Sequence, residues 1–109
     1  MLEDKIQEVR EHLTETDDLS VLSDWETYFV SEFAYMAVEL AKVKRDRATK
    51  ELALKAQILS QEGKYTEKEI ERQYFASGEG KVYLYNTTML SALSKLISAI
   101  RFKRSILVK

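Results

Sequence analysis

Apolar residues recur along most of this chain at alternating three- and four-residue steps, the spacing that lines one face of an α-helix. Leu2, Ile6, Val9 and Leu13 set the first such face and predict an amphipathic helix over about residues 2–15, interrupted by Thr16-Asp17-Asp18. A second run, Phe29, Phe33, Met36, Leu40 and Val43, passes through Arg47 and Lys50 and returns to apolar at Leu54. Ser23-Asp24-Trp25-Glu26 has the residues of a capping box, in which hydroxyl and carboxylate each satisfy an orphan amide. From there nothing breaks a helix until Gly63, which is placed to end it. The pattern predicts a long helix over about 23–62. Its length, about 58 Å at about 1.5 Å per residue, far exceeds the roughly 13 Å radius of gyration of a compact domain of 100 residues, so an elongated molecule is expected.

Thr66-Glu67-Lys68-Glu69 is a second capping box and opens a short helix through Ile70, Tyr74 and Phe75. Ser77-Gly78-Glu79-Gly80 reads as a turn. The last helix, about 81–107, carries Val82, Asn86, Met89, Leu93, Leu96, Ile100, Lys103 and Leu107 on one stripe, widened by Tyr83, Leu90 and Ile97. The expected fold is all-α: an elongated antiparallel helical hairpin of the long helix (about 23–62) and the C-terminal helix (about 81–107). A short N-terminal helix and a short connecting helix complete it. The polar gap at Arg47 and Lys50 marks the weakest part of the seam. One domain is expected over 1–109, with 1–18 an acidic arm and 23–109 the hairpin and oligomerisation core. Rods this apolar call for partners, and a homo-oligomer is expected, with contacts at Leu93, Leu96, Ile97, Ile100 and Leu107.

At 109 residues the chain has no proline, no cysteine and three glycines. The missing thiols remove disulfides, thiol catalysis and cysteine-bound zinc, and fit a reducing compartment. Met1-Leu2-Glu3-Asp4 lacks the character of a secretory signal, and Met89–Ile100 is too short and too often interrupted to cross a bilayer. A cytoplasmic protein without integral membrane association is expected.

The formal charge of −1 conceals two opposed blocks. Residues 1–40 hold eleven acids and two bases, whereas residues 41–109 hold fifteen bases and seven acids. A cationic stripe can therefore meet a polyanion while the acidic arm meets a basic partner or the chain itself.

Enzyme chemistry finds few candidates. His12 is the sole histidine, beside Glu8 and Glu11, and a helix-bundle di-iron centre needs two Glu-x-x-His units. Gly78-Glu79-Gly80 lacks the third glycine and the preceding strand of a phosphate loop, and no serine has a base to activate it. The expectation is a protein that is not an enzyme and uses neither metal nor cofactor.

The basic block opens with Lys42, Lys44, Arg45, Arg47 and Lys50, followed by Lys55. Helical spacing puts Lys44, Arg47, Glu51 and Lys55 in one row and Lys42, Arg45 and Thr49 in the next. Such rows can follow a phosphate backbone, so these six cations are the candidate nucleic-acid site. Tyr65, Tyr74 and Phe75 can stack on bases, although bundle packing is the favoured reading. A further basic patch, Arg101, Lys103, Arg104 and Lys109, closes the chain.

Lys50-Glu51-Leu52-Ala53-Leu54-Lys55-Ala56-Gln57-Ile58, with the Gly63-Lys64 break after it, resembles the segment around the Leu-Lys-Ala-Arg motif of the UvsY-like phage recombination mediators. Ala99-Ile100-Arg101-Phe102-Lys103 resembles that family's C-terminal oligomerisation helix. The likeness covers residues 25–109. Lys55 is the matched cation, and Gln57 stands where the motif is basic. The resemblance implies an oligomeric, non-enzymatic protein of an infected host cell's cytoplasm. It would bind single-stranded DNA and help a strand-exchange recombinase replace single-strand-binding protein. The rival expectation is a helical interaction protein, such as a virion component or an inhibitor of a host nucleic-acid machine. The acidic arm would then imitate nucleic acid or dock on a basic partner.

Overall fold

The computed structural model describes residues 1–108. They form four helices: α1 (Leu2–His12), α2 (Leu19–Glu62), α3 (Glu67–Ala76) and α4 (Gly78–Val108). The all-α class and the antiparallel pairing of the long helix with the C-terminal one follow the pattern of the sequence. Glu26, near the start of α2, meets Arg101 and Arg104, near the end of α4.

The helix ends depart from expectation. α1 stops at His12, whose carbonyl then accepts from the Glu15 amide at 3.2 Å and the Thr16 hydroxyl at 2.8 Å. α2 starts at Leu19, four residues before the expected box. Asp18 caps it: its carboxylate accepts from the Ser20 amide at 2.8 Å and its carbonyl from the Leu22 amide at 3.1 Å. The early start carries Leu22 into the core, where it is fully buried. Ser23 and Glu26 fall inside the helix, and the Glu26 carboxylate is turned to the α4 arginines instead of a helix amide. Gly63 ends α2 in the left-handed region (φ 76°), as its position suggests. Thr66 caps α3 by accepting from the Glu69 amide.

The expected turn at 77–80 shrinks to Ser77. Its amide donates to the carbonyls of Gln73 and Tyr74 to close α3, while its hydroxyl accepts from the Gly80 amide to open α4. Gly80 is buried against the end of α3. A Cβ there would lie 1.9 Å from the Tyr74 carbonyl oxygen and 2.6 Å from the Phe75 Cα, so no other residue fits without moving a helix.

The chain divides into two compact units. Unit 1 comprises residues 1–36 with 89–108: α1, the first part of α2 and the last part of α4. α1 belongs to it through Ile6 and Val9, which are buried with Leu22, Phe29, Met36, Met89, Leu93, Leu96, Ile97 and Ile100. Leu93, Leu96, Ile97 and Ile100 are thus spent within the chain and Leu107 packs on the same core, which corrects their assignment as oligomer contacts. At about 1.5–3 kcal/mol per fully buried apolar side chain, this seam is the main stabilising feature of the unit. On the described part of α4 it leaves Phe102, Ile106 and Val108 exposed.

Unit 2 comprises residues 37–88: the rest of α2, all of α3 and the start of α4. Leu40, Ile58, Ile70, Tyr74 and Asn86 are its buried residues of appreciable size. Val82, expected on the seam, is 48 % exposed, because Gly80 and Tyr83 take up the packing at that end of α4.

Candidate nucleic-acid interface

The six cations expected to act together all lie in unit 2, and the structure divides them into two groups. Arg47 and Lys55 point inward. The Arg47 guanidinium sits 5.0 Å from the ring centres of Tyr74 and Phe75 and 5.2 Å from that of Tyr83, and its Nε donates to Glu51 Oε1 at 2.6 Å. The hydrogen bond to Glu51 raises the Arg47 pKa further and outweighs the opposing effect of burial. A guanidinium suits this place because it stacks flat on rings and still donates at its edge. The expected weak point at Arg47 is therefore a filled one. Lys55 pairs with Glu67 at 3.4 Å and lies 5.6 Å from the Tyr65 ring.

Lys42, Lys44, Arg45 and Lys50 are exposed. Lys42 has Glu39 at 3.3 Å, while Lys44, Arg45 and Lys50 have no ion-pair partner among the described residues. They do not form one row. At about 100° per residue, Lys42 and Arg45 lie about 60° apart on the outward face, whereas Lys44 and Lys50 lie about 120° apart, on either side of the buried stripe. The expected row of Lys44, Arg47, Glu51 and Lys55 is largely the inward side of the helix.

The aromatics pack, as the favoured reading held. Tyr74 is fully buried, with Phe75 and Tyr83 around it at centroid distances of 5.4 and 6.2 Å. Its hydroxyl finds no hydrogen-bond partner among the described residues, and burial, then the charge of Glu79, pushes its ionisation up. No base can reach that ring.

No family model, curated protein or solved structure matches the chain. The UvsY-like resemblance therefore stands on its residues alone. Of that motif, Ile58 is buried, Leu54 and Lys55 are half-buried, and Ala56 and Gln57 are exposed.

The C-terminal cations behave differently from those of unit 2. Arg101 and Arg104 both reach Glu26, at 3.5 and 2.5 Å, and Lys103 reaches Asp17 at 3.2 Å and the Thr14 carbonyl at 2.9 Å. The opposed charge blocks meet here, within unit 1. Lys109 lies outside the described residues. Among the described residues no three acidic or imidazole side chains gather in a way that could hold a metal ion, and no helix is long and apolar enough to cross a membrane.

Proposed function

We propose that this chain binds single-stranded DNA through Lys42, Lys44, Arg45 and Lys50 and serves as a phage-type recombination mediator, acting in the host cytoplasm. The observation that carries the DNA reading is that Lys44, Arg45 and Lys50, within seven residues of α2, are exposed and unpaired among the described residues. Helping a recombinase to replace single-strand-binding protein is what the UvsY-like resemblance adds. With the rings of Tyr74, Phe75 and Tyr83 gathered around Arg47, binding rests on phosphate contacts and counterion release, and it is independent of base sequence.

Oligonucleotide affinity measured against salt tests this. Each phosphate contact to a single strand contributes about 0.7 to the slope of log K against log salt, so four contacts give a slope near about −3. Changing Lys42, Lys44, Arg45 and Lys50 together to Gln abolishes it, with helicity retained. Absence of binding at low salt, or a flat dependence, removes the reading. Arg47 and Lys55 are unsuitable probes, because each already holds unit 2 together.

A second reading, a helical interaction protein, is favoured by the exposed apolar positions on the outward side of α2, Val38, Leu52 and Leu59 among them. Deleting residues 1–20 does not separate the two readings, since it strips Ile6 and Val9 from the core of unit 1.

A further inference from the structure

In unit 1, α1 covers one side of the seam between α2 and α4, and no described residue covers the other. On α4, Met89 and Ala92 look toward α1, where they line a small cleft with Glu3, Ile6, Gln7 and Arg10. Ser94, Ser98 and Arg101 lie about 120–180° away from them around the same helix. There they face Val30 and Phe33 of α2 across a cleft of about 230 Å³, with Ile97 also in its lining. The serines at 94 and 98 are too small to fill the space between the two helices, so the cleft stays open.

We propose that this cleft binds a small apolar carboxylate, an alkyl or aryl monocarboxylic acid in its ionised form. The two halves of such a molecule match the two kinds of lining. Val30, Phe33 and Ile97 offer an apolar floor. Val30 is exposed, so a hydrocarbon body seated there takes apolar surface out of water. Arg101 supplies the charge. Its side chain is 62 % exposed, and its Nε donates to Glu26 Oε2 at 3.5 Å. Glu26 also accepts from Arg104, at 2.5 Å. Two guanidiniums therefore share one carboxylate, which leaves one positive charge uncompensated. The two terminal amino groups of Arg101 have no partner among the described residues. Their planar edge suits both oxygens of a carboxylate. The Ser94 and Ser98 hydroxyls, also without a hydrogen-bond partner among the described residues, can donate beside it. The neighbouring cleft past Arg101 is lined by Glu26, Arg104, Ser105 and Val108, so the one acid nearby is already paired.

The size of the cleft sets the size of the ligand. Sites for drug-sized molecules run to about 300–1,000 Å³, so this one selects a single ring or a short chain, bound in the millimolar range. The inference goes beyond the DNA reading, uses none of the unit 2 cations and is tested without nucleic acid, so either can fail alone.

Phenylpropionate is the probe, titrated into the full chain at neutral pH and followed by amide NMR. Saturable shifts centred on Val30, Phe33, Ser94, Ile97, Ser98 and Arg101 are expected, with a dissociation constant of about 1 mM. Phenylpropanol, which keeps the ring and lacks the charge, binds at least about fivefold more weakly, and phenylpropylamine more weakly still. Arg101→Gln removes the advantage of the acid over the alcohol and leaves the affinity of the alcohol unchanged. Ser98→Leu fills the cleft and abolishes binding of both, with helicity retained. Shifts that do not saturate by about 10 mM, or that centre on Met89 and Ala92, overturn the proposal. So does an amine that binds as well as the acid, or a Ser98→Leu variant that binds as well as wild type. Equal weakening of acid and alcohol by Arg101→Gln would also overturn it, since the arginine would then only shape the cleft.

Discussion

The two units use the same material, long helices with an alternating apolar stripe, and solve opposite problems with it. Unit 1 has an apolar seam from Ile6 to Ile100 and sends its charges to the rim, where Arg101, Lys103 and Arg104 meet Glu26 and Asp17. Unit 2 places a cation inside, Arg47 among three rings and Glu51, and leaves Lys44, Arg45 and Lys50 unpaired outside among the described residues. Charge that is neutralised contributes to holding a fold, while charge that is left free remains available to a ligand. On that reasoning unit 1 is held by its own charges, and unit 2 carries the cations through which DNA binding is proposed.

The largest effect should come from the apolar seam. Leu93 is fully buried in unit 1, and Leu93→Ala should cost about 2–5 kcal/mol through lost transfer energy and the cavity left behind. Trp25, the single tryptophan, packs on that core, so its fluorescence should report the loss directly. Hydrogen exchange should quicken in unit 1 amides before those of residues 37–88. Equal quickening in both would break the comparison, because the units would then open together.

Next comes the buried cation of unit 2. Arg47→Ala should destabilise by about 3 kcal/mol, since it removes the cation from three rings and strands the half-buried Glu51. Arg47→Lys should recover little of this, because an ammonium cannot lie flat on the rings and donate from its edge. The double change Arg47→Met with Glu51→Leu should lie close to wild type in denaturant unfolding, since a matched apolar pair needs no desolvation of charge. A fully stable Arg47→Lys variant would show that the guanidinium geometry is incidental.

This contrast explains what could be read in the sequence. The stripes of α1, α2 and α4 gave the class and the antiparallel pairing, because apolar periodicity fixes which face is buried. The start of α2 differs from the expected one because two capping signals compete. Asp18 prevails over Ser23, since starting early buries Leu22, and Glu26 is needed by two arginines far along the chain. Ser77 to Gly80 read as a turn because two glycines usually mark one. Only the packing of one helix start on another's end shows why Gly80 is required. Arg47 already stood at a core position of the heptad pattern, and three aromatics at 74, 75 and 83 were available to cover it. The pairing of the charge blocks in unit 1 had no local signal, since Glu26 and Arg104 are 78 residues apart.

Alkaline pH should loosen unit 2 first. The buried Tyr74 phenol ionises above its ordinary value of 10.0, because burial and the charge of Glu79 disfavour the phenolate. A raised folded value means that the stabilisation from a neutral phenol is fully present below about pH 10 and is lost as pH climbs through the folded value. Tyr74→Phe, whose ring keeps the packing and lacks the orphan hydroxyl, should be at least as stable as wild type at neutral pH and less sensitive above pH 10. An unchanged alkaline profile in that variant would assign the transition to other groups.

The smallest effect should be the most telling about charge. Glu26 is the shared acceptor of Arg101 and Arg104, with a side chain 17 % exposed, while those arginine side chains are 62 % and 38 % exposed. Glu26→Gln should therefore cost only about 1 kcal/mol, because solvent and salt screen the outer partners, and the difference should shrink further in high salt. Arg45→Gln in unit 2, with no partner among the described residues to lose, should change stability by less than about 0.5 kcal/mol while lowering DNA affinity. If Arg45→Gln proved as destabilising as Glu26→Gln, the unit 2 cation would be held by a contact of its own. The division between charge that holds the fold and charge left for a ligand would then fail at the residue where it matters most.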